Sequence, residues 1–215
     1  MGQLIILDEN SEAIQYLSRK DKRLAKAFKM IGPITYVPYE DTYGFLIGEI
    51  LGQMLANKVS KKMYERLNVL CNGQITPESI SALTDEEIRS IGTSQQKISY
   101  IRNLTEAVRC RQIDLEQIKE KTDIQIMKEL TALKGIGNWT AKMYLIFCLN
   151  RQDILPYEDF AFLQGFGWLY KTDDFSRQNV EKKCKKWKPY SSVAARYMYK
   201  ALDLGFTKSE FHLFK

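Results

Sequence analysis

The chain contains no Cys-x-x-Cys pair. Its four cysteines, Cys71, Cys110, Cys148 and Cys184, are scattered, which argues against a zinc ribbon, an iron–sulfur cluster and a disulfide scaffold and fits a reducing compartment. Histidine is reduced to one residue, His212, with no partner pattern around it. No apolar run approaches the roughly 20 residues that a membrane span needs. The opening MGQLIILDENSE has neither the basic start of a signal peptide nor the Ser or Thr at position six that myristoylation prefers. Alternating strand-like segments, internal repeats, low-complexity tracts and long linkers are missing as well. The expectation is a cytoplasmic protein with no membrane contact.

What is present is ordinary for a soluble globular chain: 45% apolar and 27% charged residues over 215 positions, enough for one sizeable core or two small ones sharing a cleft. The net charge of +6 favours a polyanionic partner, although a basic balance also serves solubility. The charge is concentrated in EKKCKKWK, with five lysines between 182 and 188, and in SRKDKRLAKAFK at 18–29. Each run on its own reads as a solvated helix face.

Helical signals follow one another along the chain. Asp21 caps a segment with Leu24, Phe28 and Ile31 on one face and Gly32 as its stop. Residues 42–67 form the longest periodic stretch, with Tyr43, Leu46, Ile47, Ile50, Leu51 and Met54 on one arc. Thr76 with Pro77 starts a short helix, and Thr84 with Glu87 makes a capping box closed by Gly92. Ile98, Ile101, Leu104 and Val108 mark another helix, and Thr122 with Gln125 caps the next. Val180, Cys184 and Trp187 form one late stripe; Val193, Tyr197 and Ala201 form a second, ended by Gly205. The fold class predicted is all-α, with about ten helices joined by short turns. The joints with a boundary character are GPITYVPYEDTYG and DILPYEDF.

The stretch ELTALKGIGNWTAKMYLIFCL, residues 129–149, is two helices joined by a turn too short and apolar for an ordinary surface loop. Gly135 and Gly137 let the backbone come close to another surface. Asn138 opens the second helix, so the N–H groups from Gly137 to Thr140 face outward at the positive end of the helix dipole. This is an anion site needing no charged side chain, and a DNA phosphate is the fitting anion. On the glycines alone, a plain helical hairpin remains open.

LKGIGNWTAK resembles the helix–hairpin–helix signature of the DNA glycosylase superfamily that includes endonuclease III. DILPYEDFAF, about twenty residues on, is similar to the segment that holds that superfamily's catalytic aspartate, at Asp159. Trp139 after Gly-Ile-Gly-Asn, ILGQMLANKVSKKM with its Gln and following wedge residue, WKPYSSVAARYMY and YLSRKDKRLAKAFKMIG resemble the subgroup of 3-methyladenine DNA glycosylase II, in a short form without a β-rich N-terminal domain. The likeness is collinear over nearly the whole chain. Three positions depart from it: Lys134 stands where Pro is common, Ser191 where Arg is common, and Met143 where an aromatic pocket residue is common.

The resemblance implies a monofunctional glycosylase that flips alkylated, 3-methyladenine-like bases out of double-stranded DNA and hydrolyses their N-glycosidic bonds. The implied architecture is two-lobed with the active site in the cleft: residues 42–155 form a central lobe, and 1–41 with 156–215 form the lobe that carries Asp159. Flipping requires a wedge, and Met54 beside Gln53 suits the gap. Without the resemblance Met54 reads as core, and Gln53, at the edge of the arc, can either reach a base or phosphate or cap a neighbouring helix. A carboxylate under C1′ stabilises the developing sugar cation; Asp159 is the candidate and Glu158 its neighbour and rival. A cationic alkylated base attracts aromatic faces. Trp139, Met143 and Phe160 are the expected base pocket, with Tyr36, Tyr39, Tyr43 and Trp168 also available but mostly core by type. Phosphate contacts are expected from Lys134, Gly135, Ile136, Gly137, Asn138 and Thr140. The carbonyls of Thr131, Leu133 and Ile136 are implied to hold Na+ or K+, with no organic cofactor and no iron–sulfur cluster. A monomer is expected, nucleoid-associated in a bacterial source. Two alternatives stand beside this reading: a non-catalytic helix–hairpin–helix DNA-binding protein, and a bifunctional oxidised-base glycosylase with lyase activity.

Overall fold

A computed structural model describes residues 2–214. Within them, twelve α-helices and two short strands follow in the order β1 (Ile5–Leu7), α1 (Glu12–Lys20), α2 (Lys22–Ile31), β2 (Ile34–Tyr36), α3 (Thr42–Gly52), α4 (Asn57–Leu70), α5 (Pro77–Ala82), α6 (Asp85–Ser90), α7 (Gln95–Arg109), α8 (Asp123–Thr131), α9 (Asn138–Phe147), α10 (Phe160–Tyr170), α11 (Arg177–Cys184) and α12 (Ser191–Asp203). The class is all-α. None of the described helices is long and apolar enough to cross a membrane. The chain divides into two compact units, Tyr39–Leu149 and Met1–Pro38 with Asn150–Lys215. The second joint therefore falls at the end of α9, where Asn150 turns the backbone at φ 50°.

The caps read from the sequence form as written. Thr76, Thr84 and Thr122 each make a reciprocal capping box with the residue three positions on, Ser79, Glu87 and Gln125. Two expectations are corrected. β1 and β2 pair antiparallel with Ile5 opposite Tyr36 and Leu7 opposite Ile34; three residues per strand are too few for a period-two pattern to show. The periodic stretch 42–67 is two helices, because the chain turns at Gly52–Leu55, where Met54 adopts φ 58° and the Leu55 amide donates to the Gly52 carbonyl at 3.0 Å.

In the unit that joins both ends of the chain, α1, α2, α10 and α12 enclose Leu17, Leu24, Phe162, Phe166, Trp187 and Tyr197. α10 and α12 meet closely at Gly165, where a Cβ would lie 2.6 Å from the Cβ of Met198 and 2.8 Å from its carbonyl oxygen. A carboxylate sits within this core. Asp21, 2% exposed, caps α2 by accepting the Arg23 amide at 2.9 Å. Its other oxygen accepts from Tyr170 Oη at 2.5 Å, Trp187 Nε1 at 3.2 Å and Lys186 Nζ at 3.1 Å. Burial pushes this carboxyl up, but the hydrogen bonds from Tyr170, Trp187 and Lys186 together outweigh burial and hold it below its ordinary value.

In the other unit, Arg102 of α7 ties three elements: Nε meets Asp85 Oδ1 at 2.9 Å, Nη1 the Ile80 carbonyl at 2.7 Å and Nη2 the Leu83 carbonyl at 2.5 Å. Tyr43 Oη and Thr105 Oγ1 share a hydrogen bond of 2.7 Å, joining α3 to α7.

Replacing Asp21 by Ala leaves the Tyr170 and Trp187 donors buried without their acceptor, and about 3 kcal/mol of stability should be lost at neutral pH. Because the folded carboxyl titrates below the unfolded one, its contribution is full above the ordinary value of 3.8 and fades as pH falls through the folded value. Urea unfolding of parent and variant at pH 7 and pH 3 should show the gap narrowing with acid. An unchanged gap would count against the ionised carboxylate as its source.

Candidate nucleic-acid interface and catalytic residues

The hairpin turns at Gly135, which has φ 99°. A Cβ there would fall 2.3 Å from Cγ of Tyr100, so both the backbone angle and the space require glycine. Gly137 has φ −94°, and a Cβ at that position would meet nothing within 4 Å; its role is to cap α9 without any side-chain hydrogen bond. Lys134, Gly137 and Asn138 are exposed, and Trp139 is half-buried. Ile136 and Leu133 are buried and anchor the turn from below.

Thr140 is expected to contribute its backbone amide. Its side chain is 2% exposed, so only backbone at that position can face a ligand. It is the third residue of α9, on the face that packs inward with Ala141, Met143 and Tyr144. Met143 is likewise buried within the helix packing.

Met54 is 101% exposed. The core arc read from the sequence ends at Leu51, since the helix ends before the arc can come round to Met54. Gln53 donates from Nε2 to the Gly135 carbonyl at 2.8 Å, so its amide links the Met54 turn to the hairpin instead of reaching outward. This bond brings residues 82 positions apart in sequence into one construction. Sequence reasoning missed the support beneath it: Tyr100 under Gly135, and Asn103, whose Nδ2 reaches the Lys134 carbonyl at 3.3 Å. Their three-residue spacing on α7 places them on one face, but the same spacing occurs on every amphipathic helix and carries no signal by itself.

Asp159 and Phe160 belong to the other unit. Asp159 is the N-cap of α10, with Oδ1 accepting the Phe162 amide at 2.7 Å, and is 8% exposed. Glu158 is exposed and lies against the Tyr157 hydroxyl. The two neighbouring carboxylates thus differ in setting: one is fixed in a helix terminus whose dipole favours an anion, the other is on the surface. Phe160, 73% exposed, presents its ring beside Asp159 in the chain.

The remaining aromatic candidates are placed otherwise. Trp168 packs in the core with Phe206 and Phe211 at ring-centroid distances of 6.2 and 4.9 Å. Tyr43 is buried. Tyr36 already carries the Arg196 guanidinium over its face at 3.7 Å and donates to Asn150 Oδ1 at 2.9 Å. Tyr39 is exposed and packs on Phe45. Burial, or an aromatic or ionic neighbour on the ring face, removes that face from ligand contact in Tyr36, Tyr43 and Trp168.

Residues 47–189 match the family described as HhH-GPD superfamily base excision DNA repair protein. The chain is similar to DNA-3-methyladenine glycosylase 1 of Schizosaccharomyces pombe, with 29% identity over 93% of this chain and 90% of that protein. Its fold is similar to that of a DNA-3-methyladenine glycosidase from Bacillus halodurans, with TM-score 0.86, 29% identity and 97% of each chain covered. It is also similar to the Schizosaccharomyces pombe 3-methyladenine DNA glycosylase in complex with abasic DNA, with TM-score 0.81, 29% identity, and 90% of this chain and 97% of that one covered. With about two thirds of its length in the family match, including both the hairpin and Asp159, the chain is a member of the HhH-GPD superfamily of base excision DNA repair proteins.

Proposed function

We propose that this protein is a monofunctional DNA glycosylase that removes alkylated, 3-methyladenine-like bases from double-stranded DNA. The observation that carries the reading is the turn at Met54: a fully exposed apolar side chain, in a left-handed backbone, hydrogen-bonded through Gln53 to the glycine hairpin. A folded core gains nothing from such a side chain, and a duplex gap does. The related proteins named as 3-methyladenine glycosylases, one of them in complex with abasic DNA, support the substrate class.

The hairpin holds a phosphate on the amides at the start of α9, with Lys134 beside it, and so positions the duplex without reading sequence. The carbonyls of Thr131, Leu133 and Ile136 would hold the monovalent cation; Leu133 accepts the Ile136 amide at 3.0 Å and keeps a second lone pair for it. Such an ion would add positive charge next to the phosphate. Met54 enters the stack as the damaged base rotates out, a step that costs a few kcal/mol. The base rests against Trp139, whose face attracts a cationic ring. The bond between C1′ and the base nitrogen then breaks, its electron pair leaves with the base, and positive charge builds on the sugar. Asp159 stabilises that charge and orients the water whose oxygen bonds to C1′.

Lyase-type relatives carry a lysine two residues after the second hairpin glycine, and here that position is Trp139. An indole offers no amine for a Schiff base. Lys142 lies three residues further, about 300° around the helix.

Replacing Asp159 by Asn keeps the cap acceptor while removing the charge, and single-turnover release of 3-methyladenine should fall about a thousandfold with abasic-DNA affinity retained. Parent-level release would reject Asp159 and turn attention to Glu158. In Met54→Ala, excision from a paired duplex should drop about tenfold, and excision of the same lesion from an unpaired bulge should drop much less; equal losses would leave Met54 without a wedge role. Incubation with lesion DNA and borohydride should trap no covalent complex and leave no nicks without alkali. Trapping at the rate of base release would instead establish the bifunctional lyase, and absence of any base release from alkylated or oxidised duplexes would establish the non-catalytic binding protein.

A further inference from the structure

Residues Gly52–Leu55 form a reverse turn with the dihedrals of type II. Gln53 has φ −51° and ψ 125°, Met54 follows at φ 58°, and the Leu55 amide closes the turn on the Gly52 carbonyl. Type II differs from the commoner type I by a flip of the central peptide, and it demands positive φ at the third residue, a place usually taken by Gly or Asn. Methionine has no preference for that conformation. Something outside the turn must hold the central peptide.

Lys97 does so. Its Nζ donates to the carbonyl of Gln53 at 2.9 Å, the oxygen of the central peptide itself, and to the carbonyl of Leu51 at 2.7 Å in the last turn of α3. A type I turn would rotate the Gln53 carbonyl away and forfeit that bond. Lys97 stands in the first turn of its own helix, α7, where no acidic residue accompanies it and where a cation opposes the dipole. Its placement is explained instead by the C-terminal end of α3, where a cation is favoured. Partial burial lowers the affinity of the amine for its proton, so the position also carries a desolvation cost. From the same face of α7, Tyr100 supports Gly135 and Asn103 reaches the Lys134 carbonyl.

We infer that Lys97 is the positioning residue for the wedge: by holding the Gln53 carbonyl it selects the type II form of the turn and so keeps Met54 projecting, in register with the hairpin that Tyr100 and Asn103 support. The role of Met54 rests on the glycosylase reading, whereas the control of the turn by Lys97 does not.

The test uses Lys97→Met, which keeps chain length and removes the donors, and Lys97→Arg, which keeps donors. Hydrogen exchange in free protein reads the turn directly through the Leu55 amide. Exchange there should rise about tenfold in Lys97→Met and stay near parent in Lys97→Arg, with the amides of α5 and α6 unchanged in both. In single-turnover assays Lys97→Met should lose about tenfold on a paired 3-methyladenine duplex and less than about twofold on the same lesion in a bulge, while Lys97→Arg recovers most of the paired-duplex rate. Unchanged Leu55 exchange in Lys97→Met overturns the assignment, and equal losses on paired and bulged lesions overturn its link to flipping. If the parent releases no base from either substrate, the glycosylase reading falls, and Leu55 exchange still decides whether Lys97 sets the turn.

Discussion

The contact between the Gly135 backbone and the ring of Tyr100 is the constraint on which the rest of the hairpin unit depends. With Cα pressed against the ring, the chain can reverse only through a residue that has no side chain and tolerates φ 99°. That reversal turns the Gly135 carbonyl toward Gln53 and sets Gly137 at the head of α9 without a capping side chain. The amide bond from Gln53 then carries the position of the hairpin to the end of α3. α7 supports both ends of this arrangement, since Lys97, Tyr100 and Asn103 lie along one of its faces, Lys97 meeting the end of α3 and Tyr100 and Asn103 the hairpin.

The unit that holds Asp159 is organised differently. Its core is aromatic, and one buried carboxylate, Asp21, collects donors from α10 and from the segment after α11 while capping α2. One basic run of the sequence meets the other here, through Lys186 and Asp21. Lys183 and Lys186 also lie over the ring of Tyr170 at 5.3 and 5.4 Å. Part of what reads as a solvated charge run therefore neutralises and covers the core that orients α10. Asp159 gains its fixed position from the N-terminus of that same helix.

Legibility in the sequence followed the range of the interaction. Capping boxes at Thr84 and Thr122 are local, and three-residue spacing states them completely, whereas at Thr76 the sequence shows the helix start with Pro77 but not the box with Ser79. The hairpin and Asp159 were legible because short motifs in collinear order resemble a family, while the residues taken singly left a plain hairpin and a plain helix cap open. The break of 42–67 into α3 and α4 was hidden, because the carbonyls of Leu51 and Gln53 at the turn bond to Lys97, forty-odd residues away, and leave no local signal. The side chain of Thr140 shows a related limit. The free amides of a helix start are a backbone property, and which side chains share their exposure is decided by packing that hydrophobic spacing only approximates. Trp168 and Tyr36 show the same limit: an aromatic residue is recognisable in sequence, but the cation or ring that already covers its face is not.

At Met54 the local costs of the fold are most concentrated. Among the described residues, five other than glycine have positive φ, and two of them are the expected asparagines, Asn72 and Asn150. Arg111 and Lys171 are charged residues just beyond helix ends, with side chains suited to water. Met54 alone of the five combines a left-handed backbone with an exposed apolar side chain. The backbone costs about 1–2 kcal/mol relative to glycine, and the side chain recovers none of it by burial in its own fold. Gly or Asn would relieve both terms at once. On the proposed glycosylase reading, a residue that opposes stability at the level of the turn, held there by a lysine that opposes the dipole of its own helix, has its compensation outside the folded chain. Unstacked bases are a surface that offers it, since a gap in a duplex provides the apolar contact that the protein withholds.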